Sequence, residues 1–253
     1  MIYNLEIKKT HRRLLQIEDL KIRDGAVNFL FGESGIGKTM MARAIYGLLD
    51  DAEFLVSING QSYRNYLQSR GYQDIAVHGF FVFQEPSSHL NPLLRIRQQI
   101  REGSLVQTGT ETEILASLWP GKKQNELDSI LDIYPRPYRP SGGEKQRVLM
   151  TMAFKKIDLY LQQNDAPPTL FIFDEPTGNL DNKHRNLFLH SLMEKFLQRN
   201  FTILLITHDY SIINEMVQQY PGILPHIYFT DLQLTTHGLK QENFSARDYQ
   251  DWH

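Results

Sequence analysis

Four short stretches of this chain are dominated by apolar residues: Ala26–Phe31, Gly79–Phe83, Thr169–Phe173 and Phe201–Ile206. Each is too short for a helix and too continuous for a half-exposed strand, so each predicts a strand covered on both faces. Between and after them lie stretches with helical spacing, including Met40–Ile45, Glu144–Phe154 and Arg185–Arg199. Buried strands alternating with amphipathic helices predict an α/β fold with a mostly parallel, helix-covered sheet. The N-terminal part reads differently. Leu14-Leu15-Gln16-Ile17, Leu20-Lys21-Ile22 and Phe54–Ile58 alternate as antiparallel strands do, with Asp24-Gly25 as a hairpin signal and Asn59-Gly60 as a second turn. Lys8–Arg13 is a charged cluster that reads as a solvated loop. From roughly 91 to 135 the pattern turns helical, in Leu94–Ile100, Ile114–Leu118 and Glu126–Leu131, predicting an inserted helical subdomain. The proline-rich run Tyr134–Pro140 excludes a regular helix or central strand. The tail predicts a hairpin over Ile227–Leu239 turned at His237-Gly238, and Ser245–Asp248 as a cap of a last short helix.

Composition narrows the function classes. The chain has 253 residues, 41% hydrophobic and 22% charged, with a net charge of −2 and no cysteine. The length supports a full core, and the lack of basic excess gives no support for nucleic-acid binding by charge. Disulfides and thiolate metal sites are excluded. No apolar run approaches the ~20 residues that span a bilayer. The first residues lack the basic start and apolar core of a signal peptide. The expectation is a cytoplasmic protein whose membrane association comes through a partner.

Candidate chemistry concentrates where predicted strands end, which is where ligands bind in open parallel sheets. Gly32-Glu33-Ser34-Gly35-Ile36-Gly37-Lys38-Thr39 succeeds an apolar strand and opens a helix. Glycines there let the backbone curl so that N–H groups converge, and the helix N-terminus favours an anion. Lys38 suits β- and γ-phosphates, and the Thr39 hydroxyl suits Mg²⁺. Asp174 and Glu175 end another strand. The first is a Mg²⁺ ligand candidate and the second a candidate to orient or deprotonate an attacking water. His208, after the strand Phe201–Ile206, is a candidate partner for the γ-phosphate and that water, or a structural histidine. Gln84 could supply a neutral oxygen to Mg²⁺ or water. Ser141-Gly142-Gly143-Glu144 offers unpaired N–H groups and a hydroxyl, either a second anion site or a helix cap.

Taken together, these motifs resemble the ATPase subunits of ATP-binding cassette (ABC) transporters, over nearly the whole chain. Gly32–Thr39 is similar to the Walker A motif, Gln84 to the Q-loop, and Ser141–Arg147 to the signature motif. Leu170–Glu175 is similar to Walker B, Gly178–Asp181 to the D-loop, and His208 to the switch histidine. The resemblance implies a single ABC ATPase domain of P-loop NTPase type. Residues 1–90 and 141–253 would form the core with an N-terminal antiparallel β subdomain, and residues 91–140 a helical subdomain. It implies ATP and Mg²⁺ as ligands and a head-to-tail pair with a second ABC ATPase subunit, identical or paralogous. Ser141 and Gly143 would meet the γ-phosphate bound to the opposite subunit, and Gly142 and Asp181 belong to the same nucleotide contacts. Transmembrane permease subunits and a solute-binding protein are the implied partners, placing the chain on the cytoplasmic face of the cell membrane.

Three local matches, Gly32–Gly35, Phe83–Pro92 and Arg147–Ala153, resemble the peptide/nickel/opine importer branch. Glu175–Asp181 is more similar to the lipoprotein-release and macrolide-export branch. Import of peptides, nickel or related solutes is therefore the expectation, export or lipoprotein release the alternative. A soluble ABC protein acting on DNA or ribosomes ranks last, for want of a second cassette or a heptad run. The position where the family stacks an aromatic on adenine falls near Lys9, beside Thr10 and His11, with Tyr3 out of register. Lys155–Thr169 is long and polar for the family and reads as an exposed extension.

Overall fold

The structure, a computed structural model, describes residues 1–102, 111–132, 140–235, 238–245 and 248. In chain order its elements are β1 (Ile2–Lys9), β2 (Arg12–Lys21), β3 (Val27–Gly32), α1 (Lys38–Ile45), β4 (Leu55–Ile58) and β5 (Gln61–Ser62). Then come α2 (Tyr63–Gln68), α3 (Arg70–His78), β6 (Phe80–Val82), α4 (Ile96–Glu102), α5 (Glu111–Leu118) and α6 (Gln124–Leu131). The last are α7 (Gly142–Leu161), β7 (Leu170–Asp174), α8 (Asn182–Gln198), β8 (Thr202–Ile206), α9 (Ser211–Gln219), β9 (Ile227–Thr235) and β10 (Gly238–Phe244). The chain divides into two compact units. One comprises residues 1–79, 167–174 and 200–253, the other 80–166 and 175–199.

In the first unit the strands run in the order β5-β4-β1-β2-β10-β9-β3-β8-β7. The polar-alternating strands β5, β4, β1 and β2 pair antiparallel, whereas β9, β3, β8 and β7 pair parallel. Every residue of β3, β7 and β8 is buried, as their predominantly apolar runs require. The one amide among them, Asn28, is fully used: it accepts from Arg23 N–H and donates to the carbonyls of Arg23, Ala26 and Ile203. Phe31 stacks on Tyr210 with ring centroids 4.5 Å apart, and Phe29 on Phe229 at 5.4 Å. This aromatic packing holds the strand from which the Gly32–Thr39 loop springs.

The second unit is helical apart from β6. Helix α7 carries buried Val148, Leu149, Ala153 and Phe154, and α8 carries Phe188, Leu192 and Phe196. Phe154 and Phe188 stack at 5.8 Å. Lys155, 2% exposed, pairs with Glu111 at 2.6 Å and donates to Ile100 O, tying α7 to α4 and α5.

Several expectations change. The N-terminal hairpin turns at Thr10, whose φ is 55°, so Lys8–Arg13 forms strand ends rather than a loop. Asp24-Gly25 turns the chain without making a hairpin. Gly25 N–H bonds Thr202 Oγ1 at 3.0 Å and Ile203 N–H bonds Ala26 O at 2.9 Å, so the entry to β3 is pinned to β8 instead of folding back on β2. The segment Lys155–Thr169 is not an exposed extension at its start. Helix α7 continues to Leu161 and buries Lys155, Ile157 and Tyr160. Lys195 of α8 pairs with Asp158, and Arg199 donates to Gln163 O at 2.7 Å while lying over Tyr160. Helices α2 and α3 had no counterpart in the sequence reading. Their signals are Ser62 and Ser69, whose hydroxyls accept from Asn65 and Tyr72 N–H. Asn59-Gly60 joins β4 to β5 as expected, with φ of 52° and 73°. Strands β9 and β10 form the expected antiparallel hairpin, and Ser245 and Asp248 exchange both bonds of a capping box. Residues 133–139 and His237 lie outside the described residues.

Candidate functional site

In the first unit, register brings three of the expected positions to one edge. Leu30, Ile206 and Asp174 are neighbours across the parallel strands β3, β8 and β7. Beyond Leu30 the chain enters the glycine loop, beyond Ile206 it reaches Thr207-His208, and Asp174 ends its own strand. Gly32, Gly35 and Gly37 have φ of 138°, 85° and 105°, angles that side chains rarely adopt. Lack of side chain is also steric at two of them. A Cβ on Gly32 would lie 2.6 Å from Ile36 Cδ1 and 2.8 Å from Leu232 O, and one on Gly37 2.7 Å from Leu15 Cδ1. Glu33, Ser34 and Gly35 stand exposed at the loop's outer side.

Helix α1 begins at Lys38 with Gly37 as its N-cap and no side-chain cap, so its first N–H groups face the loop. Lys38 is 6% exposed, and its ammonium donates to Gly32 O at 2.6 Å and Glu33 O at 2.9 Å. The ammonium is thus held against the loop's own backbone. Thr39 Oγ1 donates to Asp174 Oδ1 at 3.1 Å. A hydroxyl and a fully buried carboxylate so joined are hard oxygen donors of the kind Mg²⁺ takes. His208 is exposed just beyond β8, next to Asp209, which accepts from Ser211 N–H at 3.0 Å where α9 begins.

Near the N-terminal hairpin, Lys9 pairs with Glu53 and its ammonium lies 5.5 Å from the Phe54 ring centre. Its side chain is committed to the start of β4, and Thr10 and His11 beside it are exposed.

The second unit carries the remaining positions. Gln84 is exposed beyond β6. Ser141 caps α7: its hydroxyl accepts from Glu144 N–H at 3.2 Å while Glu144 Oε2 accepts from Ser141 N–H at 2.8 Å. The cap reading and the anion reading are compatible, because Gly142 and Gly143 N–H stay at the helix start. Gly143 is also sterically required. A Cβ there would lie 2.9 Å from Asn179 O, so the loop leading to Asp181 packs on the bare helix start. Glu175 has φ 46° and is 8% exposed. A left-handed glutamate costs about 1–2 kcal/mol, and strain of this kind concentrates at functional positions. Gly178 N–H bonds Glu175 O at 3.3 Å, closing the turn.

Asp181 caps α8 by accepting from His184 N–H at 2.9 Å, and both its oxygens lie 2.9 Å from His184 Nδ1. The backbone N–H of His184 first, and its ring second, hold the Asp181 carboxyl below the usual aspartate range. The sequence reading missed His184, although Asp-x-x-His at a helix start is a legible capping pattern. It took Lys145 as one residue of the Ser141–Arg147 motif, without its burial on α7.

Comparison with known proteins bears on the family and the fold. The profile of a family described as ABC transporter matches residues 15–178. The dipeptide transport ATP-binding protein DppD of Escherichia coli K12 is 29% identical over 209 residues, covering 77% of this chain and 58% of DppD. This chain therefore spans little more than half the length of that relative. YbbA of the same organism, an uncharacterized ABC transporter ATP-binding protein, is 31% identical over 198 residues, covering 76% of this chain and 78% of YbbA. Among solved structures, a dimeric bacterial ABC transporter cassette superposes with a TM-score of 0.60 at 21% identity, covering 90% of this chain and 94% of that one.

Proposed function

This chain belongs to the ABC transporter family, and from that premise we propose that it hydrolyses ATP to drive a transporter, with each ATP held between two head-to-tail cassettes. The observation that carries the reading is the Thr39 hydroxyl joined to the Asp174 carboxylate beside the glycine loop. Lys38 and the N–H groups at the start of α1 bind the phosphates, and leaving the loop carbonyls for a phosphate is a short movement for the ammonium. Thr39 and Asp174, with Gln84, would hold Mg²⁺. That ion, when bound, supplies charge neutralisation to the β- and γ-phosphate oxygens. Glu175 takes the proton of the attacking water, and His208 steadies that water and the γ-phosphate. Ser141, Gly142 and Gly143 present their N–H groups and hydroxyl to the nucleotide of the partner cassette, and Asp181 borders it. Loss of the γ-phosphate removes the bridge between subunits, which converts hydrolysis into separation.

Import of peptides or related small solutes is the favoured cargo class, supported by the local motifs of residues 83–92 and 147–153 and by similarity to a dipeptide transport protein. Permease subunits, a second cassette and a solute-binding protein complete the system. Export remains the second reading, on the strength of Glu175–Asp181. Nucleotide titration tests the core of the proposal. Wild-type chain should bind ATP and turn it over only with Mg²⁺, and Lys38→Ala should lose at least about tenfold in affinity. Unchanged ATP affinity in Lys38→Ala would sink the phosphate-loop assignment.

A further inference from the structure

Lys145 is the fourth residue of α7 and is 8% exposed. Lysine is mostly exposed in folded proteins, so one covered this far is unusual. Among the described residues its ammonium makes one polar contact, to Ser87 Oγ at 3.1 Å, and no ion pair. An ammonium carries three donors, and covering most of this side chain while one neutral oxygen, on the exposed Ser87, accepts among the described residues brings little stability. A methionine would fill the same space at lower cost, so stability alone gives no reason for a lysine here.

Position supplies one. Ser87 lies three residues after Gln84, in a turn held by Glu85, which accepts from Ser87 N–H at 3.1 Å. Lys145 lies on the first turn of the helix that begins with Gly142 and Gly143. The same helix start is packed against Asn179, whose carbonyl oxygen lies 2.9 Å from the place of a Cβ on Gly143. The two loops of the second unit therefore meet at one helix end, and Lys145 is the bond that fastens the first of them.

We infer that Lys145 is a positioning residue, whose bond to Ser87 makes the Gln84 loop and the Ser141-Gly142-Gly143 helix start move as one body. The inference rests on the proposed ATPase function, in which Gln84 serves the nucleotide of its own chain and Ser141–Gly143 that of the partner. On that reading the bond joins the two composite sites of the dimer, and its consequence is cooperative hydrolysis.

The test compares wild type, Lys145→Met, Lys145→Arg, Ser87→Ala and the Lys145→Met/Ser87→Ala double variant of the whole chain. Turnover is measured against ATP concentration, affinity by titration with a fluorescent ATP analogue, and stability by thermal melting. Wild type should show a Hill coefficient above 1. Lys145→Met should melt no lower than wild type and bind nucleotide within about twofold, yet turn over about tenfold more slowly with a Hill coefficient near 1. Ser87→Ala should do the same, the double variant should be no worse than either single one, and Lys145→Arg should recover most of the rate. Unchanged turnover and cooperativity in Lys145→Met overturn the inference, as do additive losses or a lowered melting point that accounts for the lost rate. A wild-type chain that neither binds nor hydrolyses ATP instead overturns the proposed ATPase function, and this inference with it. Active, cooperative wild type beside an indifferent Lys145→Met defeats the inference alone.

Discussion

Replacing Gly32 by alanine should destabilise the fold more than the same change at Gly35, although both have positive φ, 138° and 85°. At Gly35 a Cβ would meet nothing within 4 Å, so the cost is backbone strain alone, about 1–2 kcal/mol. Gly32 carries that strain and two overlaps besides. Ile36 Cδ1, 2.6 Å from the new Cβ, is the end of a side chain and can turn away. Leu232 O, at 2.8 Å, cannot, because Leu232 is the register partner of Gly32 between β9 and β3. Overpacking against fixed backbone adds about 1–3 kcal/mol, for a total of about 2–5 kcal/mol. For a domain of this size that is a fall in Tm of about 4–20 °C for Gly32→Ala against about 2–8 °C for Gly35→Ala. Thermal melts monitored by circular dichroism, without nucleotide, measure both. Equal shifts, or a larger one at Gly35, would refute the claim that β9 closes on the loop and leaves Gly32 no room.

The Lys155–Glu111 pair, with its ammonium buried and its carboxylate partly exposed, should be asymmetric. Glu111→Gln strands a fully buried ammonium and should cost about 3–5 kcal/mol in a denaturant titration, whereas Lys155→Met should cost little or nothing. Burial works against the charged Glu111 carboxyl, but the Lys155 hydrogen bond and a bond to its own backbone outweigh it and hold the pKa below the usual glutamate range. A carboxyl lowered in the folded state contributes stability above its unfolded pKa and loses it as pH falls through the folded value. Acid melts should therefore show wild type losing its advantage over Glu111→Gln below about pH 4, and a constant difference would contradict the pairing. Thr39→Val and Asp174→Asn should each raise the Mg²⁺ concentration that half-saturates ATP turnover by about tenfold or more, since each removes one oxygen of the 3.1 Å pair. An unaltered Mg²⁺ requirement in both would argue that the pair is only a structural hydrogen bond.

The shape of the Gly32–Thr39 turn is legible in one dimension because it is a property of the backbone. Gly32–Thr39 reads correctly because glycine spacing and a strand-to-helix switch are local properties, and the left-handed angles at Gly32, Gly35 and Gly37 result from them. The buried strands β3, β7 and β8 read correctly for a similar reason: a run so dominated by apolar residues has only one environment. What fails to read is tertiary. Asp24-Gly25 has the composition of a hairpin turn, but whether the next strand folds back depends on Thr202 and Ile203, far along the chain. Lys155–Thr169 has the polarity of an exposed segment, yet Glu111, Lys195 and Arg199 use its charges and carbonyls as partners. Lys145 looks like any helix lysine until the fold covers it. The adenine end of the site was obscure in the sequence, and the structure accounts for one part of that: Lys9, where the resemblance put the aromatic, turns to Glu53 and Phe54.

The central claim is that Glu175 is the base of an ATPase whose working form is a pair of cassettes. Glu175→Gln keeps the volume of the side chain and the unusual backbone angle of 46° while removing the base. With MgATP, light scattering coupled to size exclusion should find that variant at twice the monomer mass, with ATP retained and phosphate release at background. Phosphate release at the wild-type rate, or a variant that binds MgATP and stays monomeric, would contradict the account.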